Sequence, residues 1–135
     1  MMLFHEVPLT CINQAAIYYH VPAALILSVI KQESGRNGEA SVNKNGTYDL
    51  GVMQINSSWL PTLARYGITR EQVQYDPCVN VQVGTWLLAS AMAENNGWQG
   101  VGDYHSHTAK FNQQYRERIK TIYFHTMDTI EGRNV

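Results

Sequence analysis

The chain has 135 residues, 44% of them hydrophobic and 16% charged, a balance that fits one globular domain with a sizeable core. Its formal net charge of −1 argues against a nucleic-acid binder, which normally carries a basic stripe. No run approaches the roughly 20 apolar residues of a membrane span, and no low-complexity block or internal repeat breaks the chain.

Residues 1–10 read as an N-terminal extension, too short and too mixed to be a secretory signal. Thr10 is a candidate N-cap for a helix over residues 11–19, where Ile12, Ala16 and Tyr19 form an apolar stripe. Pro22 suits the first turn of a second helix, over 22–33. That helix is apolar nearly all round, as a helix in the middle of a domain is, and Gly35 is a natural stop. Between 36 and 56, Asn, Gly, Ser and Thr dominate. Asn45-Gly46 signals a tight turn in a short, irregular β-hairpin, with Tyr48-Asp49-Leu50 leaving it.

Ser57 or Ser58 would cap a helix ending at Gly67, and Thr69-Arg70-Glu71-Gln72 fits a capping box. Asp76-Pro77 reads as cap and first-turn proline of a long helix over 78–95. Residues 98–108 read as a Gly-rich aromatic loop, 109–127 as the last helix, and 128–135 as a frayed C-terminal tail. The expected architecture is α+β, mainly α, with one domain over 11–127. The absence of βαβ alternation argues against a doubly wound nucleotide-binding fold.

Cys11 and Cys78 are the only cysteines. Two buried thiols would fit the composition. So would one long-range disulfide, which would contribute about 4 kcal/mol on the chain-entropy model and imply an oxidising compartment.

Among the polar groups Glu33 carries the most information. It prolongs the stripe Ile26, Val29, Ile30 of the buried helix. Desolvation and the negative end of the helix dipole both raise the pKa of a carboxyl there, as a general acid requires. The plainer reading is a helix-end carboxylate turned to water or paired with Lys31 or Arg36. Asp49 lies among polar residues just past the turn. One carboxyl in an apolar setting and one in a polar setting are the usual equipment for cleaving a glycosidic bond. An aspartate bonding its own turn is the alternative.

Glu33-Ser34 followed by Tyr48-Asp49-Leu50-Gly51-Val52-Met53-Gln54-Ile55-Asn56-Ser57 resembles the signature of the lysozyme-like superfamily. The chain is most similar to specialised lytic transglycosylases that serve type III and type IV secretion, conjugation and type IV pilus assembly. Cys11, Asp76-Pro77-Cys78, Asn80, Val83-Gly84 and Leu87-Leu88 extend the match, and Tyr115 fits the family's late tyrosine. The resemblance implies a lysozyme-like fold with a small hairpin after the catalytic helix, and a disulfide between Cys11 and Cys78. It implies Glu33 as catalytic acid, with Asp49 assisting. Ser34, Met53, Gln54, Asn56, Tyr104, His105 and Tyr115 would contact substrate, and the Tyr115 hydroxyl would point at Glu33.

Two features depart from the family. Many relatives lack an acid at the place of Asp49, and Gly46-Thr47-Tyr48-Asp49 looks more like animal-type lysozymes. His105 stands where Asn is commoner.

The implied reaction is cleavage of the bond between N-acetylmuramic acid and N-acetylglucosamine, leaving a 1,6-anhydro end. A hydrolytic muramidase and a non-catalytic glycan-binding assembly factor are the alternatives. The implied partners are peptidoglycan strands and a protein of the secretion, conjugation or pilus apparatus. The expectation is a periplasmic monomer, exported with a signal that this chain does not include. His105, His107 and His125 form no His-Glu-x-x-His motif or Cys/His cluster, so no metal or cofactor is expected. Trp98, Tyr104 and Tyr115 are candidates for the sugar groove, while Trp59 and Trp86 read as core.

Overall fold

The computed structural model describes residues 2–130. Helices dominate, with two small antiparallel sheets. The first sheet pairs β1 (Leu3–Phe4) with β2 (Val7–Pro8). Its strands have two residues each, too short for any periodicity to reveal them. They tie the expected extension to the domain: Val7 is fully buried, and the Asn37 amide donates to Glu6 Oε1. The chain passes from Pro8 directly into α1 (Leu9–Tyr19), so Thr10 lies inside the helix and no side chain caps it.

Helix α2 (Ala23–Glu33) buries Leu25, Ile26, Val29 and Ile30. Ser34, not Gly35, takes the left-handed conformation that ends it, with φ of 55°. Gly35 is needed for space instead: a Cβ there would stand 2.2 Å from the Gly51 carbonyl oxygen.

The second sheet has the order β3 (Ala40–Val42), β4 (Tyr48–Leu50), β5 (Ile55–Asn56). Val42 pairs with Tyr48, so the turn spans residues 43–47 and is wider than a two-residue Asn-Gly turn. Asn45 Oδ1 accepts from the Thr47 amide and hydroxyl, and Gly46 has φ of 86°. Asn56 caps the 3-10 turn Ser57–Trp59 by accepting from the Ser58 amide. The Ser57 hydroxyl, one of two expected caps, accepts from the Tyr48 amide and ties the turn to β4.

Helix α3 (Leu60–Ala64) follows, and then α4 (Arg70–Tyr75), which carries the Thr69–Gln72 capping box. Asp76 caps α5 (Pro77–Glu94), with Pro77 in its first turn. A disulfide joins Cys11 of α1 to Cys78 of α5, with Cα atoms 5.4 Å apart. Buried Asn80 fastens the sheet to α5. It accepts from the Met53 amide and donates to the Leu50 and Val73 carbonyls.

The segment expected as a Gly-rich loop contains α6 (Trp98–His105). Its glycines are there for packing. A Cβ on Gly100 would meet Met92 Cα at 2.5 Å, and one on Gly102 would meet the Asn112 side chain at 2.1 Å. The last helix, α7 (Ala109–Ile130), packs against α2 and α6 and extends past the expected end at 127. The rest of the expected tail, 131–135, lies outside the described residues.

Candidate active site

A cleft of about 490 Å³ separates the small sheet from the C-terminal halves of α5 and α6. Glu33, Asn43, Asp49, Gln54, Ile55, Asn56 and Trp59 line it from one side. Leu87, Ser90, Ala91 and Glu94 of α5, with Asp103, Tyr104, His105 and His107, line the other.

Glu33 enters as the last residue of α2, so the buried helix fixes its backbone. Burial is the main cause of its raised pKa, which moves from the ordinary 4.5 to about 7. The Tyr115 hydroxyl opposes the rise by donating to Glu33 Oε2 at 2.7 Å, and the negative charge of Asp49 adds to it. Tyr115 comes from α7, 82 residues along the chain. Its own pKa is held well above the tyrosine range, first by burial and then by the Glu33 charge, so it stays a donor at neutral pH.

The His105 ring lies parallel to that of Tyr115 with centroids 4.8 Å apart. Burial first, then Arg118, lower the His105 pKa, against a pull upward from Asp49. The neutral imidazole is therefore favoured at neutral pH.

Asp49 occupies the middle of β4, where register places it opposite Asn56 of β5 and Ser41 of β3. Two amides converge on one of its oxygens. Asn43 Nδ2 and Asn56 Nδ2 each donate to Oδ1 at 3.1 Å, and both also reach the Thr47 hydroxyl. The carboxylate is thus oriented by two side chains, Asn43 from its own turn and Asn56 from the neighbouring strand. Gln54 lines the cleft with φ of 54°. Its Nε2 donates to the Gly51 carbonyl and to Glu39 Oε1, bracing the loop between β4 and β5.

The other candidates divide. Asn56, Tyr104 and His105 line the cleft, and the Tyr104 hydroxyl donates to the Met53 carbonyl. Ser34 turns back onto its helix and bonds the Lys31 carbonyl. Met53 is fully buried, with its sulfur against Gly84. Both stand outside the cleft lining, as does the buried Tyr115, which reaches the site only through Glu33. Trp98, a groove candidate, packs on Tyr123 and Phe124 of α7. Trp59, expected in the core, is 40% exposed and lines the cleft.

Sequence reasoning missed Asn43, Ser90, Glu94 and Asp103. One signal was available, because Ser90 and Glu94 stand four apart on the C-terminal half of a helix whose other residues there are apolar, and so share a face. Asp103 is largely buried and accepts from Asn95 and Asn112, which anchors α6 to the elements on either side.

Residues 10–123 match the model of the transglycosylase SLT domain. The chain belongs to the SLT transglycosylase family. Invasion protein IagB of Salmonella typhimurium is 34% identical over 110 residues, which is 80% of this chain and 69% of the relative. Protein IpgF of Shigella flexneri is 34% identical over 112 residues, covering 82% and 72%. The X polypeptide of Escherichia coli is 32% identical over 111 residues, covering 81% and 66%. As a member of the SLT family, the chain is a peptidoglycan lytic transglycosylase with the lysozyme-like fold. Among the described residues no helix is long and apolar enough to cross a membrane.

Proposed function

We propose that Glu33 is the general acid and then the general base of this transglycosylase, with Asp49 stabilising the charge that develops between the two steps. The observation that carries the reading is the setting of Glu33, at the end of a buried helix with a pKa near 7 and a tyrosine donor on one oxygen. A carboxyl of that pKa is substantially protonated at neutral pH and still gives up its proton readily.

In the first step Glu33 donates its proton to the glycosidic oxygen. The C1–O bond of the muramic sugar breaks, and the N-acetylglucosamine leaves with a free hydroxyl. Positive charge spreads over C1 and the ring oxygen, and an Asp49 carboxylate in the same partly dry cleft lowers its energy. In the second step the C6 hydroxyl of the same muramic sugar attacks C1 and returns its proton to Glu33. The 1,6-anhydro ring closes, no water is consumed, and the acid is regenerated. Tyr115 holds Glu33 in one orientation through both transfers.

Asp49→Asn keeps the shape and an acceptor for the Asn43 and Asn56 amides but removes the charge. Turnover on purified glycan strands should fall at least about tenfold, a barrier increase of roughly 1.4 kcal/mol, and by less than in Glu33→Gln. Full activity in Asp49→Asn would reduce Asp49 to a structural member of the sheet.

The proposed setting is the periplasm, where the enzyme opens the wall locally for a secretion, conjugation or pilus apparatus. The Cys11–Cys78 disulfide supports an oxidising compartment. The motif resemblance to secretion-associated transglycosylases supports the apparatus, as does likeness to a protein named for invasion.

A further inference from the structure

A second groove, of about 380 Å³, opens between the end of α1, the residues after α3 and the first half of α5. Tyr18, Tyr19, Tyr66 and Trp86 supply rings to it and Gln82 an amide, and among the described residues no Lys, Arg, Asp or Glu lines it. Tyr18 and Tyr66 are each 72% exposed. Large aromatic faces left in water at one place mark a binding surface.

The groove neighbours the catalytic cleft across one ring contact. Trp59, on the wall of the cleft, meets Trp86 edge-on with centroids 6.1 Å apart, and Trp86 meets Tyr66 at 6.4 Å. Helix α5 serves both grooves in turn, through Gln82, Val83 and Trp86 and then Leu87, Ser90 and Glu94. The substrate is a polymer, so a strand seated in the cleft has further sugars on either side of the bond that is cut. Flat rings offer the apolar C–H faces of pyranoses a stacking surface, while the tyrosine hydroxyls and the Gln82 amide can bond sugar hydroxyl and acetamido groups. An uncharged lining suits the neutral sugar backbone better than the charged peptide stems.

We propose that this groove is a distal glycan-binding site that holds sugars of the same strand beyond Trp59. The inference rests on the cleft being where the strand is cut, and it does not depend on which residue donates the proton.

The test compares long glycan strands with a four-sugar fragment as substrates, using wild type and the double variant Tyr18→Ala, Tyr66→Ala. Both side chains are mostly in water, so the fold should survive, which circular dichroism checks. The expected result is a KM for long strands raised about fivefold or more, from the loss of two aromatic contacts. Values for the four-sugar fragment should stay within about twofold of wild type, and Tyr18→Phe, Tyr66→Phe should keep the wild-type KM because the rings remain. An equal loss on both substrates would overturn the proposal. Unchanged kinetics on long strands would also overturn it, and would leave the groove to a protein partner. Activity persisting in Glu33→Gln would instead overturn the catalytic assignment and leave the length dependence standing.

Discussion

Glu33→Gln is expected to lose glycan cleavage by at least about a hundredfold, the usual worth of a positioned general acid, while the fold remains. Gln preserves the volume and can still accept from Tyr115, but it has no proton to give and cannot take one from the C6 hydroxyl. The same variant should report on the raised pKa through stability. Below pH 4.5 the Glu33 carboxyl is protonated in both folded and unfolded chains, so the variant and wild type should unfold at the same urea concentration. Between 4.5 and about 7 the unfolded chain has released the proton and the folded chain still binds it. Wild-type stability therefore falls as pH rises through this window. Above pH 7 the folded protein carries a buried charge that the variant lacks, so Glu33→Gln should be the more stable by about 3 kcal/mol. Urea titrations at pH 4 and pH 8.5 would show the two proteins equal at the first and separated at the second. Equal stability at both values would mean that Glu33 is solvated and is no acid at neutral pH.

The second large effect concerns Cys11→Ser, Cys78→Ser. The disulfide closes a loop with a sequence separation of 67, and its loss should cost about 4 kcal/mol on the chain-entropy model. The consequence reaches the site, because Asn80 stands two residues beyond Cys78 on α5 and holds the Met53 amide and the Leu50 carbonyl. A loosened start of α5 frees the loop that carries Gln54 and the strand that carries Asp49. The expected outcome is a lower unfolding midpoint in urea, equal to that of reduced wild type. Identical midpoints for variant and oxidised wild type would show that helix packing alone holds α1 to α5.

Glu33 was legible because its position is a matter of helical period, one turn beyond Val29 and Ile30 on a stripe that has to be buried. Asp49 was legible in chemistry but not in geometry, since nothing local reveals that Asn43 and Asn56 would converge on one oxygen. The link from Tyr115 to Glu33 crosses the whole domain, and only family resemblance could supply it. Gly100 and Gly102 misled the reading of α6. Two glycines in eight residues lower intrinsic helix propensity, but here they let Met92 and Asn112 approach, and tertiary packing outweighs the local preference. Ser34 and Met53 were assigned to substrate because they belong to the signature. Ser34 ends its helix in a left-handed conformation and Met53 is fully buried, so neither lines the cleft, and a motif alone carries no information about which of its side chains face a groove. Trp59 shows the reverse, since a helical setting suggested core for a ring that faces the cleft.

The most direct test of the central claim is the chemistry of the new ends. Intact peptidoglycan sacculi would be digested with the wild-type protein and the released muropeptides weighed by mass spectrometry. Two proton transfers through Glu33 with the C6 hydroxyl as nucleophile predict 1,6-anhydromuramic ends, and their absence from a parallel Glu33→Gln digest. Reducing ends throughout would contradict the account, because water and not the sugar's own hydroxyl would then have attacked.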